Sequence, residues 1–336
     1  MSTVMDWLLE KDAENPGVRY FALTRLLGCP ADDPEARAAR RAVLESGPVP
    51  AILAAQDPGG FWVQPGTGYY PKYRGTVWSL IYLAQLGADA AEVRVRAGGE
   101  YLLDHALAAN GVFTLTGAPS GNVACLAGNL GAALFDLGFG GDPRLRQALE
   151  MTARFVTGGG IAPAQETGVP LRYYKSGTCG PGFCCSANMQ LPCAWGAVKV
   201  LRALARVPVV ERTPLIQSGL EAAVEFLFSV DPATAAYPAG MSDKPSRSWF
   251  QFGFPLFYVT DVLQTAEALT DAGCGGDPRL AATYDLILGK QDSTGRWKME
   301  YVYTGKTWAD IEQKGKPSKW VTLRARQVLK GGGIQA

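Results

Sequence analysis

The sequence contains a single histidine, His105. That excludes a histidine-rich metal site and a histidine-based catalytic triad. His105 lies in YLLDHALAAN at the end of a helical pattern, which suits a structural role beside the helix dipole. Net charge is nearly absent, with 32 Lys and Arg against 31 Asp and Glu, so nothing draws the chain toward nucleic acid. No apolar run reaches the roughly 18 residues that a membrane-spanning helix needs. The opening MSTVMDWLLEKDAENP is acidic and amphipathic and lacks the basic start and apolar core of a secretion signal, which predicts a cytoplasmic protein. Period-two alternation is too brief to build a large sheet. The seven cysteines include no C-x2-C pair of the zinc-ribbon kind.

What is present is apolar and periodic. Hydrophobic residues make up 47% of the 336 positions and charged ones 19%, enough for a large core. The chain reads as one domain over 1–330 with a loose tail at 331–336. GFGGDPRLRQALEMTARFV (138–156) returns as GCGGDPRLAATYDLILGKQ (273–291), with weaker copies at 28–46 and 87–103. Gly ends one helix, Asp caps the next, and Pro takes its first position. The unit is helix, tight turn, helix. First helices are expected at 16–27, 74–86, 122–137, 192–206, 254–271 and 318–329. Second helices are expected at 33–55, 89–108, 142–156, 212–229 and 277–290, and an N-terminal helix at 3–11 supplies the missing sixth partner. The first helices are apolar nearly all round (TVWSLIYLAQL, VACLAGNLGAAL) and the second ones amphipathic, so the first set is buried on two sides. The predicted fold is all-α: a single α6/α6 toroid whose N-terminal helix closes the outer ring.

The links AAQDPGGFWV (54–63) and GKQDSTGRWKMEY (289–301) share Gln-Asp followed by Gly and an aromatic residue. With the DPR turns, they resemble the QW-type repeats of the squalene cyclase and protein prenyltransferase superfamily, and in particular its short single-toroid bacterial members. The resemblance implies an enzyme acting on an isoprenoid or another small apolar substrate in a central cavity. It also has gaps. No DxDD acid motif and no DCTAE-like motif is present, and VTDVLQTAEAL (259–269) is the nearest echo. With only His105, neither the zinc ligand set of the prenyltransferases nor that of the lanthionine-forming cyclases can be assembled.

In such a ring the inner-helix N-termini gather at one mouth. The residues there are aromatic and cationic: Arg19, Tyr70, Lys72, Tyr73, Asn129, Trp195, Phe257, Lys319 and Trp320 are candidate substrate contacts. Asp261, the acid at the start of an otherwise apolar helix, is the candidate general acid or base, with Tyr258 and Lys199 beside it. An ion pair of Asp261 with Lys199 or Arg324 is the plainer alternative. The long link 157–191 brings Cys179, Cys184 and Cys185 toward Cys125 and Cys193 at two helix starts. Four of these five would make a zinc or iron–sulfur site. Cys193 is alternatively a reactive thiolate with a lowered pKa, and the thiols could also simply pack. No nucleotide cofactor is expected. A non-catalytic lipid- or metabolite-binding toroid with a structural zinc, and a thiol enzyme using Cys193, are the competing functions.

Overall fold

Capping chemistry sets the helices where the repeats lie. The computed structural model describes residues 3–169, 171–173, 180–240, 242 and 244–335. Among them thirteen α-helices follow in order: α1 (Val4–Leu9), α2 (Pro16–Phe21), α3 (Pro34–Glu45), α4 (Pro48–Ala54), α5 (Thr76–Leu86), α6 (Val93–His105), α7 (Ala124–Leu134), α8 (Pro143–Thr157), α9 (Ala194–Ala205), α10 (Pro214–Leu227), α11 (Val262–Leu269), α12 (Ala281–Leu288) and α13 (Lys319–Gly331). Asp33 and Asp142 cap α3 and α8 with their side chains, and Pro34 and Pro143 occupy the first helical positions. In the two clearest repeats the preceding helix ends at Gly138 and Gly273, both at positive φ (102° and 90°), a conformation that costs glycine little.

The six inner helices pack in a closed cycle. α5 packs on α7, α7 on α9, α9 on α11, α11 on α13 and α13 on α2. α2 returns to α5 at Gly17, where a Cβ would overlap the Leu86 carbonyl oxygen and also press on Trp320. The outer helices α3, α6, α8, α10 and α12 pack on α2, α5, α7, α9 and α11, and α1 lies against α2 and α13. α1 is therefore the sixth outer partner. Lys319 on α13 fixes it, pairing with Glu10 at 3.1 Å and Asp12 at 3.0 Å.

The aromatic links are braces. Trp62 donates its indole N–H to the Ile52 carbonyl on α4 (2.7 Å), and its backbone N–H donates to Thr76 Oγ1 on α5 (3.0 Å). Trp297 repeats both bonds, to the Ile287 carbonyl on α12 (2.7 Å) and Thr322 Oγ1 on α13 (3.0 Å). Each brace ties the end of an outer helix to the next inner helix.

Two expected helices differ. The second helix expected at 33–55 is divided into α3 and α4, because Gly47 has φ +68° and Pro48 starts a new helix. The first helix expected at 254–271 begins only at Val262, with Asp261 as its cap. Residues 254–261 cross the mouth without helix, and the Phe254–Pro255 bond is cis. Only isolated β-bridges occur among the described residues, and no helix there is long and apolar enough to cross a membrane. Beyond α13, Ile334 packs against the core.

α7 and α9 approach most intimately at Gly128, where a Cβ would meet the backbone of Lys199 and Val200. Backbone cannot step aside as a side-chain tip can. Gly128→Ala is expected to cost about 1–3 kcal/mol by overpacking, read as a lower urea midpoint. An unchanged midpoint would show that the ring can loosen at this seam.

Candidate active site at the N-terminal mouth of the ring

Loop 68–73, the crossing segment 254–261 and loop 303–310 cover the inner-helix N-termini. Trp78, fully buried on α5, donates its indole N–H to the Tyr69 carbonyl at 2.7 Å. Trp308 closes the same end, its indole N–H lying 3.0 Å from both the Arg74 carbonyl and Ser79 Oγ. Tyr69, Tyr73, Trp78, Phe257, Tyr258 and Tyr303 then stack into one cluster. Trp78 lies 5.1 Å from Tyr258 and 5.5 Å from Phe257 between ring centroids, and Tyr73 lies 4.8 Å from Tyr303. Phe257 is wholly buried and fills the interior at this end, where an open cavity was expected. Asn129 on α7 holds the crossing segment by donating to the Phe257 carbonyl at 3.1 Å.

The cluster already carries a cation. The Lys72 ammonium sits 5.5 Å from the Tyr258 ring centroid and 5.9 Å from that of Tyr69, within the range where a ring quadrupole attracts positive charge. The Tyr258 hydroxyl is buried with no hydrogen-bond partner among the described residues. Burial, reinforced by the neighbouring Tyr69, pushes its pKa well above the usual tyrosine range, so it stays a neutral phenol.

Lys199 reaches from α9 to the start of α11. It is fully buried. Its Nζ donates to Thr260 Oγ1 at 2.8 Å and to Gln264 Oε1, and among the described residues no carboxylate pairs with it. Burial, with Arg202 acting in the same direction, pulls its pKa down to about 7. A substantial share of the free amine therefore exists at neutral pH.

Asp261 takes the plainer of its two roles. Its Oδ1 accepts from the Gln264 N–H (2.6 Å) and Arg324 Nη2 (3.1 Å), and its Oδ2 from the Gly253 N–H (3.2 Å) and Arg324 Nη1 (3.3 Å). Arg324 also grips Glu267 through Nε (2.9 Å) and Nη2 (2.8 Å). Four donors thus converge on one carboxylate and hold it in place. Asp261, the candidate acid or base, is in this structure a helix cap and an ion-pair partner.

Three thiols do converge. Cys193, the cap residue of α9, interacts with Cys125 in the first turn of α7 and with Cys185 from the long link. The neighbouring Cys125, with burial adding to it, pushes the Cys193 thiol up to about 12. Cys185 is raised by Cys193 and then by burial. Cys185 and Cys193 are therefore protonated thiols, which runs against the low-pKa thiolate expected at Cys193: a neighbouring thiol and burial outweigh the helix terminus. Cys184 is half-buried, and Cys179 lies outside the described residues. Among those described, no group of three or more Cys, His, Asp or Glu side chains is arranged to hold a metal ion. The zinc or iron–sulfur site expected from the meeting of the long link with two helix starts includes Cys179, which lies outside those residues, and no chemistry is assigned to a metal. Because so little Cys193 ionises at pH 8, native protein should react there with a disulfide reagent at least about 100-fold more slowly than a free thiol. Fast labelling of Cys193, located by peptide mapping, would contradict its placement.

The remaining candidates scatter. Arg19 binds the Leu9 carbonyl and Glu35. Lys319 holds the N-terminal segment. Trp320 donates to Asn15 Oδ1 (2.9 Å) and stacks on Phe254 at 4.3 Å. All three close the ring instead of facing the cluster. Tyr70 is 58% exposed, with its ring edge-on to Tyr69. Trp195 is half-buried and packs against Trp249 at 6.3 Å. His105 stacks on Tyr101 at 4.1 Å, a structural role. Sequence reasoning missed Thr260 and Gln264, the two groups that hold Lys199. Their signal was a pair of uncharged polar residues flanking Asp261 in an apolar stretch.

No protein-family model matches the chain, and neither does any curated protein. Among solved structures, the apo form of the type II terpene cyclase MstE from Scytonema is 14% identical, with 86% of this chain and 97% of that chain covered and a TM-score of 0.31. A variant of MstE in complex with geranylgeranyl dihydroxybenzoate is 13% identical, with 85% and 96% covered and a TM-score of 0.32. Likeness at that level carries no functional argument, so the site stands on its own geometry.

Proposed function

We propose that the N-terminal mouth is the site of a terpene-cyclase- or prenyltransferase-like enzyme that acts on an isoprenoid-like apolar molecule and stabilises positive charge developing on it. The observation that carries this reading is the Lys72 ammonium over the Tyr69 and Tyr258 rings, within one cluster bordered by the buried amine of Lys199. Aromatic faces that hold an ammonium can hold a carbocation of similar charge and size. Lys199 is the group able to accept a proton, its Nζ held by Thr260 and Gln264. Asp261 and Arg324 act as positioning residues for the α11 start. Substrate entry requires Lys72 and the crossing segment around Phe257 to move aside.

A dodecyltrimethylammonium ion serves as a stable cationic probe. It is expected to quench tryptophan fluorescence saturably and to bind at least about tenfold more weakly to Tyr258→Ala, on the magnitude of a desolvated cation–π contact. Equal affinity in both proteins would remove the cation-binding role. A binding function without turnover is favoured by one observation, the engagement of Asp261 by four donors, which ties the candidate acid into the fold. Incubation with farnesol, geranylgeraniol and squalene, followed by gas chromatography and mass spectrometry, separates the two. Isomeric products that vanish in Lys199→Met support the enzyme. Probe binding with no product from any of these substrates supports the binder.

A further inference from the structure

The opposite mouth of the ring holds a cavity of about 450 Å3 that the proposed reaction does not use. It lies between the C-terminal ends of α2, α9, α11 and α13 and is lined by Arg25, Arg202, Arg206, Glu267, Asp271 and Gln327. Its charges are unevenly matched. Arg206 takes two carboxylates, Asp136 at 3.1 Å and Asp271 at 2.7 Å, and Glu267 is bound to Arg324. The acids lining the cavity are thus already engaged.

Arg25 and Arg202 remain. Among the described residues neither guanidinium has a carboxylate within ion-pairing distance. Arg25 is held over the Phe21 ring at 4.1 Å, which fixes it without using its N–H donors. Arg202 Nε and Gln327 Nε2 are buried donors with no hydrogen-bond partner among the described residues. Burial pushes the Arg202 guanidinium below the ordinary arginine range, while Arg25 stands exposed at the rim of the cavity. Helix C-termini favour cations and explain why arginines collect here. They do not explain unpaired, buried N–H groups, since such groups cost about 1–3 kcal/mol each when unsatisfied. An acceptor-only, multiply charged ligand would satisfy all of them, and guanidinium pairs match the oxygen spacing of phosphate.

We infer that this cavity is a second binding site, taking a phosphate group between Arg25, Arg202 and the Gln327 amide. The phosphate is either free in solution or carried on a lipid headgroup.

Thermal unfolding at constant ionic strength tests the site with inorganic phosphate, and co-sedimentation tests it with phosphatidic acid vesicles against phosphatidylcholine vesicles. The expected result is a saturable rise in Tm with phosphate, weakened at least tenfold in Arg202→Gln and in Arg25→Gln. The same loss is expected in Gln327→Leu, which removes a donor without touching a charge and covers the case of an arginine variant that fails to fold. Arg279→Gln, at an exposed arginine paired with Asp277, should respond like the parent. Binding only to phosphatidic acid vesicles, lost in the same three variants, would assign the phosphate to a lipid headgroup. No response to either probe, or a response unchanged in Arg202→Gln and Gln327→Leu, would overturn the site.

Discussion

Between pH 7 and 8.5 the Lys199 amine is expected to contribute about 2 kcal/mol of rising stability, read as the difference between the protein and Lys199→Met. The sign follows from the depressed lysine. Its folded pKa of about 7 lies below the ordinary value of the unfolded chain, so across this window the unfolded state binds more protons than the native state. Stability therefore rises with pH. Below pH 7 both states are protonated and the penalty is at its full, constant size, on the order of 5 kcal/mol. Above about pH 9 the trend reverses. Buried thiols and phenols such as Cys193 and Tyr258 have raised folded pKa values, so the unfolded chain loses those protons first and stability falls. Urea titrations of both proteins at pH 7.0, 7.75 and 8.5 read the difference directly. At pH 7 itself Lys199→Met should change stability little. It relieves a costly charge but leaves Thr260 Oγ1 and Gln264 Oε1 without their donor, at about 1–3 kcal/mol each. A parent protein as flat as the variant over this window would mean that Lys199 finds a counter-charge or water in solution.

Arg324→Met is expected to destabilise the fold by about 3–5 kcal/mol, the typical cost of stranding a buried charge. Arg324 is 5% exposed and binds two carboxylates, Asp261 at 3% and Glu267 at 14% side-chain exposure. It also donates to the Gly253 carbonyl at 2.7 Å. Removing it leaves two acids facing an apolar wall and frees the crossing segment. Burial lowers the Arg324 pKa, but the two carboxylates more than offset this and hold it above the ordinary range, so the guanidinium stays charged at any pH of interest. The triple variant Arg324→Met, Asp261→Asn, Glu267→Gln removes the stranded charges and should recover much of the loss. If the single variant loses less than about 1 kcal/mol, within the range of exposed ion pairs, the network is solvated and Asp261 returns as a possible acid. The measurement is the same urea unfolding at pH 7.

The fold was legible because its punctuation is local. Asp-Pro after Gly says where one helix ends and the next begins, and an all-apolar helix such as α5 says which set is inside. Gly47 before Pro48 carried the same kind of signal, yet the amphipathic pattern ran on through it and two helices read as one. The site was less legible because pairing is a three-dimensional property. Asp261 and Arg324 are 63 positions apart, and the choice between acid and ion-pair partner depends on that distance closing. Lys199 was visible as a charge in an apolar helix, but its partners Thr260 and Gln264 were not. The cysteines were grouped correctly in part. Cys125, Cys185 and Cys193 meet, while the raised pKa values of Cys185 and Cys193 depend on neighbouring thiols and on burial, which spacing does not encode. The arginines of the far mouth drew no attention in the sequence, because only the absence of carboxylate partners in three dimensions sets Arg25 and Arg202 apart.

The central claim is that a near-neutral amine lies buried at a mouth whose aromatic rings hold positive charge. The most direct test is the protonation midpoint of Lys199, followed by NMR of a lysine 13Cε-labelled protein, with the resonance assigned by its absence in Lys199→Met. The structure predicts a midpoint near 7. A midpoint above 10, in the range of a solvated lysine, would contradict it and remove both the proposed base and the pH-dependent stability.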